Sequence, residues 1–252
     1  MEAKKPVLAV QMYTLRDLAQ NDMIGALRSV KEIGYDGIEL AGFGNASPQE
    51  VKDAVDELDL QIVSAHAGFD ALQNDPESVI EESRIMGNQF VVCSSLPQEK
   101  RGSAAGYIET GQVLNVAGAR LREAGLQLCY HNHNFEFDDK FDEGYGFDLI
   151  YENSEPRNLQ AEIDTYWVQK GGENPAQYIR KYAGRAPLIH IKDMSQDGDF
   201  TEIGNGTLDW PAIFSASRSG GAVAYIVEQD TCPGDPLDSL RLSFENFQKM
   251  DV

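Results

Sequence analysis

Residues 126–133 read LQLCYHNH, an apolar run that ends in two histidines, His131 and His133. The chain has only 4 histidines, and both of the others also stand at the ends of short apolar runs. Runs of this kind are typical of buried β-strands. In all, four more strand-like runs carry a histidine or an acidic residue at or near their ends, namely His66, Asp164, His190 and Glu228.

Strand-like and helix-like patterns alternate along the whole chain. The strand-like runs are 7–13, 37–40, 61–66, 89–94, 126–131, 159–164, 186–191 and 224–229. Helical patterns follow them at about 22–32, 48–58, 76–86, 103–124, 147–153, 175–182, 210–217 and 236–248. Eight such units predict a (β/α)8 barrel, with residues 1–252 as a single domain. A doubly wound open sheet is less favoured, because QMYTLRD after the first run has no glycine for a phosphate turn.

Composition excludes several classes of partner. Hydrophobic residues make up 42% and charged residues 25%, which is typical of a globular protein. A net charge of −20 makes nucleic acid and anionic membrane surfaces poor partners, and no apolar run approaches the ~20 residues that cross a bilayer. Three cysteines without a CxxC pair indicate reduced thiols. We expect a cytoplasmic protein.

The carboxyl ends of the strands of a parallel barrel share one rim. Alternation along each strand turns His131 and His133 to the same side, and likewise His190 with Lys192. The same rule turns inward Gln11, Tyr13, Glu39, Ser64, His66, Glu162, Asp164, Glu228 and Asp230. A single strand histidine is more often structural than a ligand, and Asp164 alone could simply cap a helix. Together, however, imidazoles and carboxylates on one rim predict a divalent-metal site.

Five segments resemble the xylose isomerase-like barrel superfamily of sugar phosphate isomerases and epimerases: YHNHNFEF (130–137), EIDTYWVQKGGENP (162–175), LIHIKDM (188–194), EIGNGTLDW (202–210) and YIVEQD (225–230). The resemblance implies a metal held by one residue from each of strands five to eight, here His131, Asp164, His190 and Glu228. Typical epimerases of the superfamily carry glutamate where this chain has His131. The chain is similar instead to a YHNH subgroup and to the inosose dehydratases.

The resemblance implies proton abstraction next to a carbonyl, through a metal-stabilised enediolate. Mn²⁺ ranks first as the metal, with Co²⁺, Fe²⁺, Zn²⁺ and Mg²⁺ as alternatives. Glu228 is the expected base, His133 an alternative proton carrier, and Lys192 a group that steadies the developing oxyanion. The expected substrate contacts are His66, Glu39, Tyr13 and Trp167.

Several functions remain open at this stage. A sugar isomerase or epimerase ranks narrowly before a keto-sugar lyase or dehydratase, which needs only one base. A DNA-repair endonuclease would need more metal ligands and a basic face. A non-catalytic sugar-binding barrel would keep the same pocket. The glycines of EIGNGT (202–207) suit either an anion cradle or a tight turn. The partner is a small sugar or keto sugar, and the resemblance allows a homo-oligomer.

Overall fold

Eight parallel strands close into a barrel, each strand pairing with its neighbours along the chain and the first pairing with the last. The computed structural model describes residues 5–138, 140–142 and 144–252. Strands β1 to β8 are Val7–Gln11, Gly37–Leu40, Gln61–Ala67, Phe90–Cys93, Gln127–His131, Leu159–Asp164, Leu188–Ile191 and Ala224–Val227. The prediction of a (β/α)8 barrel is confirmed. The predicted domain limits, 1–252, include residues 1–4, 139 and 143, which lie outside the described residues.

Helices surround the barrel and also line its rim. The α-helices are Arg16–Ile33, Pro48–Glu57, Phe69–Asn74, Pro76–Met86, Ala104–Glu123, Phe135–Asp138, Gly146–Glu152, Thr165–Lys170, Pro175–Lys181, Trp210–Gly220 and Pro236–Phe247. Short 3₁₀ helices cover Met12–Leu15 and Gln98–Lys100. Two small antiparallel pairs lie in loops, Lys140–Phe141 with Gly144–Tyr145 and Asp193–Met194 with Phe200–Thr201. No helix among the described residues is long and apolar enough to cross a membrane.

The first strand–helix unit differs from the sequence-based expectation. β1 ends at Gln11 and not at residue 13, because the Gln11 side chain accepts a hydrogen bond from the backbone of Tyr13 (2.9 Å) and starts a 3₁₀ turn. The following helix begins at Arg16, and its backbone breaks at Asp22 (φ −153°, ψ 78°). The Asp22 carboxylate accepts a hydrogen bond from the backbone of Gly25, so the predicted start near residue 22 marks the second half of a broken helix.

We call the end of the barrel at the amino ends of the strands its lower end and the end at their carboxyl ends its upper end. The interior is mainly apolar at the lower end, and histidines and carboxylates lie at the upper end. The lower interior side chains form one buried cluster of Ala9, Val63, Phe90, Val92, Cys129, Leu188, Ala224 and Ile226. A larger apolar layer lies between the strands and the helices. Filling the lower interior with apolar side chains is the usual packing of such barrels. Among the described residues, the histidines and carboxylates of the barrel interior lie near the carboxyl ends of the strands.

Candidate active site

A cavity of about 410 Å³ opens at the carboxyl ends of the strands. This volume is within the range of small-molecule sites. Its walls combine imidazoles, carboxylates and an indole ring, from Tyr13, Ala41, His66, Ala67, Gly68, Ser94, Ser95, His131, His133, Trp167, Glu228 and Asp230. No lysine or arginine is among these described lining residues. The wall that meets a ligand is therefore polar and carries two carboxylates, Glu228 and Asp230.

The four residues expected to hold a metal come together at the floor of this cavity. One ligand atom from each of His131, Asp164, His190 and Glu228 lies within 4.8 Å of the others, and all four side chains are buried. Asp164 Oδ2 lies 3.9 Å from His131 Nε2 and 3.9 Å from His190 Nδ1, while Glu228 Oε2 lies 3.2 Å from His190 Nδ1. Two nitrogens and two carboxylate oxygens at such spacing could hold a divalent cation.

Asp164 has two separate tasks, one for each carboxylate oxygen. Its Oδ1 accepts a hydrogen bond from the backbone of Trp167 (3.0 Å) and so caps the helix Thr165–Lys170. Its Oδ2 is buried and has no hydrogen-bond partner among the described residues. A buried carboxylate oxygen without a donor is costly. The capping role considered from sequence is thus present, and it leaves an oxygen that fits a cation.

A buried lysine joins the acidic groups on one side of the cavity. Lys192 Nζ lies 2.9 Å from Glu228 Oε2, 2.5 Å from Asp230 Oδ2 and 3.5 Å from Asp164 Oδ2. The rings of Trp167 and Phe200 lie about 5 Å from the ammonium group. Burial alone would lower the pKa of Lys192, but the surrounding carboxylates outweigh it and raise that pKa. Burial would raise the pKa of Glu228, yet Lys192 and His190 hold it well below its usual value.

His133 forms the opposite wall, together with Trp167. The two ring centroids are 5.4 Å apart, and the His133 ring also stacks on Phe135. Burial first, then the neighbouring His131 and Lys192, lower the pKa of His133 to about 2. Its Nδ1 has no hydrogen-bond partner among the described residues. His133 is therefore a neutral imidazole with one ring nitrogen free for a ligand.

Glu39 and Glu162 lie beneath the histidines, where neither side chain is exposed. Glu39 Oε1 lies 2.7 Å from His190 Nε2, and Glu162 Oε2 lies 3.0 Å from His131 Nδ1. Glu39 as a sugar contact stays a prediction; its carboxylate lies under His190 and is not among the residues that border the cavity. The other expected contacts, His66, Tyr13 and Trp167, do border it.

The glycine-rich loop EIGNGT binds an anion of the protein itself. The buried Asp193 carboxylate accepts hydrogen bonds from the backbone amides of Gly204 (2.8 Å) and Gly206 (3.1 Å) and from Trp210 Nε1 (2.9 Å). A Cβ on Gly206 would lie 2.2 Å from Asp193 Oδ1. Only glycine fits there. The anion cradle considered from sequence is thus filled by Asp193.

Sequence reasoning assigned no role to Glu162, Asp230 or Asp193. Alternation already turned Glu162 and Asp230 inward, two residues before Asp164 and two after Glu228. Their partners, His131 and Lys192, come from other strands, so their roles became visible only in three dimensions.

Comparisons with known proteins agree with this fold. The chain matches the family model described as xylose isomerase-like TIM barrel over residues 27–245. An inosose dehydratase of Clostridium beijerinckii is 25% identical, over 84% of this chain and 85% of that protein. A sugar phosphate isomerase/epimerase of Parabacteroides distasonis superposes with a TM-score of 0.84 at 22% identity, covering 98% of this chain and 96% of the other. A zinc-containing IOLI protein superposes with a TM-score of 0.76 at 15% identity, covering 96% and 97%. The chain belongs to the xylose isomerase-like TIM barrel family.

Proposed function

We propose that this protein is a divalent-metal-dependent enzyme that removes a proton next to the carbonyl of an uncharged keto sugar or keto-cyclitol and then eliminates water. One observation carries the proposal. The buried set of His131, Asp164, His190 and Glu228 includes a carboxylate oxygen without a hydrogen-bond donor and opens onto a polar cavity. The zinc in a structurally similar protein supports a metal in this family. Mn²⁺ remains our first candidate, and two imidazoles with two carboxylates equally suit Co²⁺, Fe²⁺ and Zn²⁺.

The chain's own residues divide the work of elimination. A bound divalent cation would supply Lewis-acid polarisation of the carbonyl oxygen. The Glu228 carboxylate takes the proton from the carbon beside the carbonyl, because it is ionised and borders the cavity. The Lys192 ammonium, 2.9 Å from Glu228, keeps that carboxylate ionised, and Glu228 passes the abstracted proton to the departing hydroxyl group. One C–H and one C–O bond break, a C=C bond forms and water leaves, so no oxidant is needed.

The positions of the carboxylates favour elimination over epimerisation. Glu228 and Asp230, the carboxylates that border the cavity, both follow β8 and so lie on one side. The strand-five side presents His131 and His133 instead. Epimerisation needs a proton donor on the opposite face of the substrate, whereas elimination can use one side. Isomerisation ranked narrowly first from sequence alone. We rank dehydration first, and both this arrangement and the inosose dehydratase relatives support that order.

Epimerisation is the second candidate, and one observation favours it. His133 borders the cavity as a neutral imidazole whose Nδ1 has no hydrogen-bond partner among the described residues. A neutral imidazole can accept a proton at one nitrogen and donate one from the other. His133 could therefore return a proton to the face of the substrate that lies away from Glu228.

The cavity favours substrates without phosphate. Its described lining residues include two carboxylates and no lysine or arginine. Lys192 is already surrounded by three carboxylates, and Asp193 fills the loop that could otherwise bind an anion. A phosphate ester would bring negative charge beside Glu228 and Asp230, where like charges repel. We therefore include only uncharged sugars and cyclitols in the proposed substrate class.

The test is proton NMR of the Mn²⁺-treated protein, after chelation of the metal, with a keto-inositol, a 3-keto-glucoside and free ketohexoses in D₂O. An unsaturated ketone, or its hydrate, is the expected product. Deuterium at the carbon beside the carbonyl with a new stereoisomer would instead select epimerisation. Glu228→Gln should abolish both signals, whereas Glu245→Gln, on the exposed face of the last helix, should turn over like the wild type. Unchanged spectra with every substrate would contradict the proposal.

A further inference from the structure

Two glutamates seal the lower side of the candidate metal site. Glu39 and Glu162 have no exposed surface, and each approaches the ring nitrogen of a predicted metal ligand from below. Glu162 Oε2 is 3.0 Å from His131 Nδ1, and Glu39 Oε1 is 2.7 Å from His190 Nε2. Neither glutamate belongs to the four residues expected to hold the metal. Their burial is therefore a feature that the proposed chemistry does not yet use.

These contacts decide which nitrogen of each ring carries the hydrogen. A neutral imidazole has one donor nitrogen and one acceptor nitrogen, and an ionised carboxylate only accepts. These contacts put the hydrogen on His131 Nδ1 and, at the shorter of the two carboxylate contacts of His190, on His190 Nε2. The lone pairs are then on His131 Nε2 and His190 Nδ1, each 3.9 Å from Asp164 Oδ2. The two histidines thus take opposite tautomers and direct their lone pairs to the same place.

A second set of donors competes for the same two rings. One atom each of His66, His131, Glu162 and His190 also lies within 4.8 Å of the others. A cation in this lower set would need lone pairs on His131 Nδ1 and His190 Nε2. A neutral ring cannot serve the upper and the lower set together. Occupation of one set by a cation therefore excludes the other.

The number of carboxylates favours the upper set. Glu39 already accepts hydrogen bonds at both oxygens, from Gln11 Nε2 (2.6 Å) and Ser64 Oγ (2.5 Å). Asp164 Oδ2, in the upper set, accepts none from the described residues. His190 Nδ1 is also near a carboxylate, at 3.2 Å from Glu228 Oε2, but the contact below at 2.7 Å is shorter. Glu162 Oε1, in the lower set, also lacks a donor, but the upper set offers two carboxylates to a cation and the lower set only one.

We propose that Glu39 and Glu162 are positioning residues. They hold His131 as the Nδ1–H tautomer and His190 as the Nε2–H tautomer, so that one cation per chain is bound with Asp164 and Glu228. Carboxylates in this position also make the imidazole a stronger ligand. This inference depends on the proposed function only for the metal site, and not for the reaction that the site catalyses.

The first test observes the histidine rings directly. Long-range ¹H–¹⁵N correlation spectra of the zinc-loaded, ¹⁵N-histidine-labelled protein should show two zinc-bound rings, one protonated at Nδ1 and the other at Nε2. The variants His66→Asn and His133→Asn each lack the signals of one of the two remaining histidines, so their spectra identify those signals. Two bound rings with the same tautomer would overturn the proposal, and so would a spectrum that zinc leaves unchanged.

The second test measures Mn²⁺ affinity by titration calorimetry. Glu162→Gln and Glu39→Gln should each weaken binding by about 10- to 100-fold, the usual effect of losing such a partner. Glu136→Gln is the matched control, because Glu136 is equally buried but bonds to Tyr130 and to the backbone of His133. Circular dichroism of the metal-free variants separates misfolding from weaker binding. Unchanged affinity in both folded variants would contradict the proposal.

The number of bound ions completes the test. Metal analysis should find one ion per chain, whereas two ions, the second lost in His66→Asn, would make the lower set a cation site and overturn the proposal. The reaction is judged separately. The histidine tautomers and the Mn²⁺ affinities could be as expected while no keto sugar is turned over. That result would reject the proposed function and leave the positioning role of Glu39 and Glu162 in place.

Discussion

The Asp193 side chain decides what the glycine-rich loop 202–207 binds. Glycine-rich loops after barrel strands can bind phosphate through backbone amides. In this chain those amides, with Trp210 Nε1, bind the Asp193 carboxylate two residues after the barrel strand β7. These hydrogen bonds fix the loop against the rim. Its backbone amides therefore stabilise the fold and do not bind a ligand.

Asp193→Asn should destabilise the fold. The amide nitrogen of asparagine would face backbone or indole donors in either orientation, and a buried donor left without an acceptor costs about 1–3 kcal/mol. We expect the free energy of unfolding in urea to fall by roughly that amount. Asp197→Asn, in the exposed turn between Asp193–Met194 and Phe200–Thr201, is the control and should unfold like the wild type. Equal stability of the two variants would contradict the role of Asp193.

Lys192 acts on the reaction more than on metal binding. Lys192→Met removes the ammonium group beside Glu228 and Asp164, so turnover should fall by about 10²- to 10⁴-fold. Mn²⁺ affinity should stay equal or increase, because a positive charge has left the site. Lys170→Met, which loses only a bond to the Gly198 carbonyl, is the control. Weaker metal binding in Lys192→Met would contradict this division.

At the scale of elements, capping side chains decide where the helices begin. Ser47, Asp75, Asn174 and Asp235 each cap a helix that starts with proline, as the sequence indicates. A cap formed by an amide is harder to recognise. Gln11 begins a 3₁₀ turn at Met12, which ends β1 two residues early. As a result, Tyr13 reaches the cavity from a turn and not from a strand.

Ser103→Ala should weaken the helix Ala104–Glu123. The Ser103 side chain accepts a hydrogen bond from the backbone of Gly106 (3.2 Å), which alanine cannot replace. The loss of such a cap costs about 1 kcal/mol. Urea unfolding should show this decrease for Ser103→Ala and little change for Ser103→Asp, which keeps an acceptor oxygen. Equal losses in the two variants would show that the cap is unimportant.

Alternation of side chains explains both the success and the limits of sequence reasoning at this scale. A period of two residues tells which side chains point into the barrel, and it brought His131, Asp164, His190 and Glu228 together. It does not give the height of a side chain along the barrel, which depends on strand stagger. Glu39 was for this reason expected at the substrate but lies beneath His190. The partners of Asp193 were equally hidden, since they come from a loop later in the chain.

At the scale of the whole molecule, the negative charge is a reason to expect stabilisation by a cation. The chain carries a net charge of −20, and two of its carboxylates, Asp164 and Glu228, lie at one buried point. An ion that binds only the folded state stabilises it by an amount that grows with the logarithm of its excess over the dissociation constant. Metal binding and folding should therefore be coupled in this protein.

Saturating Mn²⁺ should raise the melting temperature of the metal-free protein. At 100 times the dissociation constant the gain is about 2.7 kcal/mol, or roughly 5–10 °C for a chain of this size. EDTA should reverse the shift. Asp164→Asn is the matched variant, because its remaining oxygen can still cap Trp167 while the ligand charge is lost. The same shift in Asp164→Asn would place the stabilising ion elsewhere.

The contact between Glu162 and His131 limits the order in which this site can evolve. A glutamate at position 131, as typical epimerases of the superfamily carry, would meet the buried Glu162 carboxylate, 3.0 Å from the present His131 ring. Two carboxylates without a proton or cation between them repel strongly when buried. Exchange between the two types of site therefore requires position 162 to lose its charge first. His131→Glu should unfold at lower urea than the double variant with Glu162→Gln, and the two positions are expected to covary among relatives.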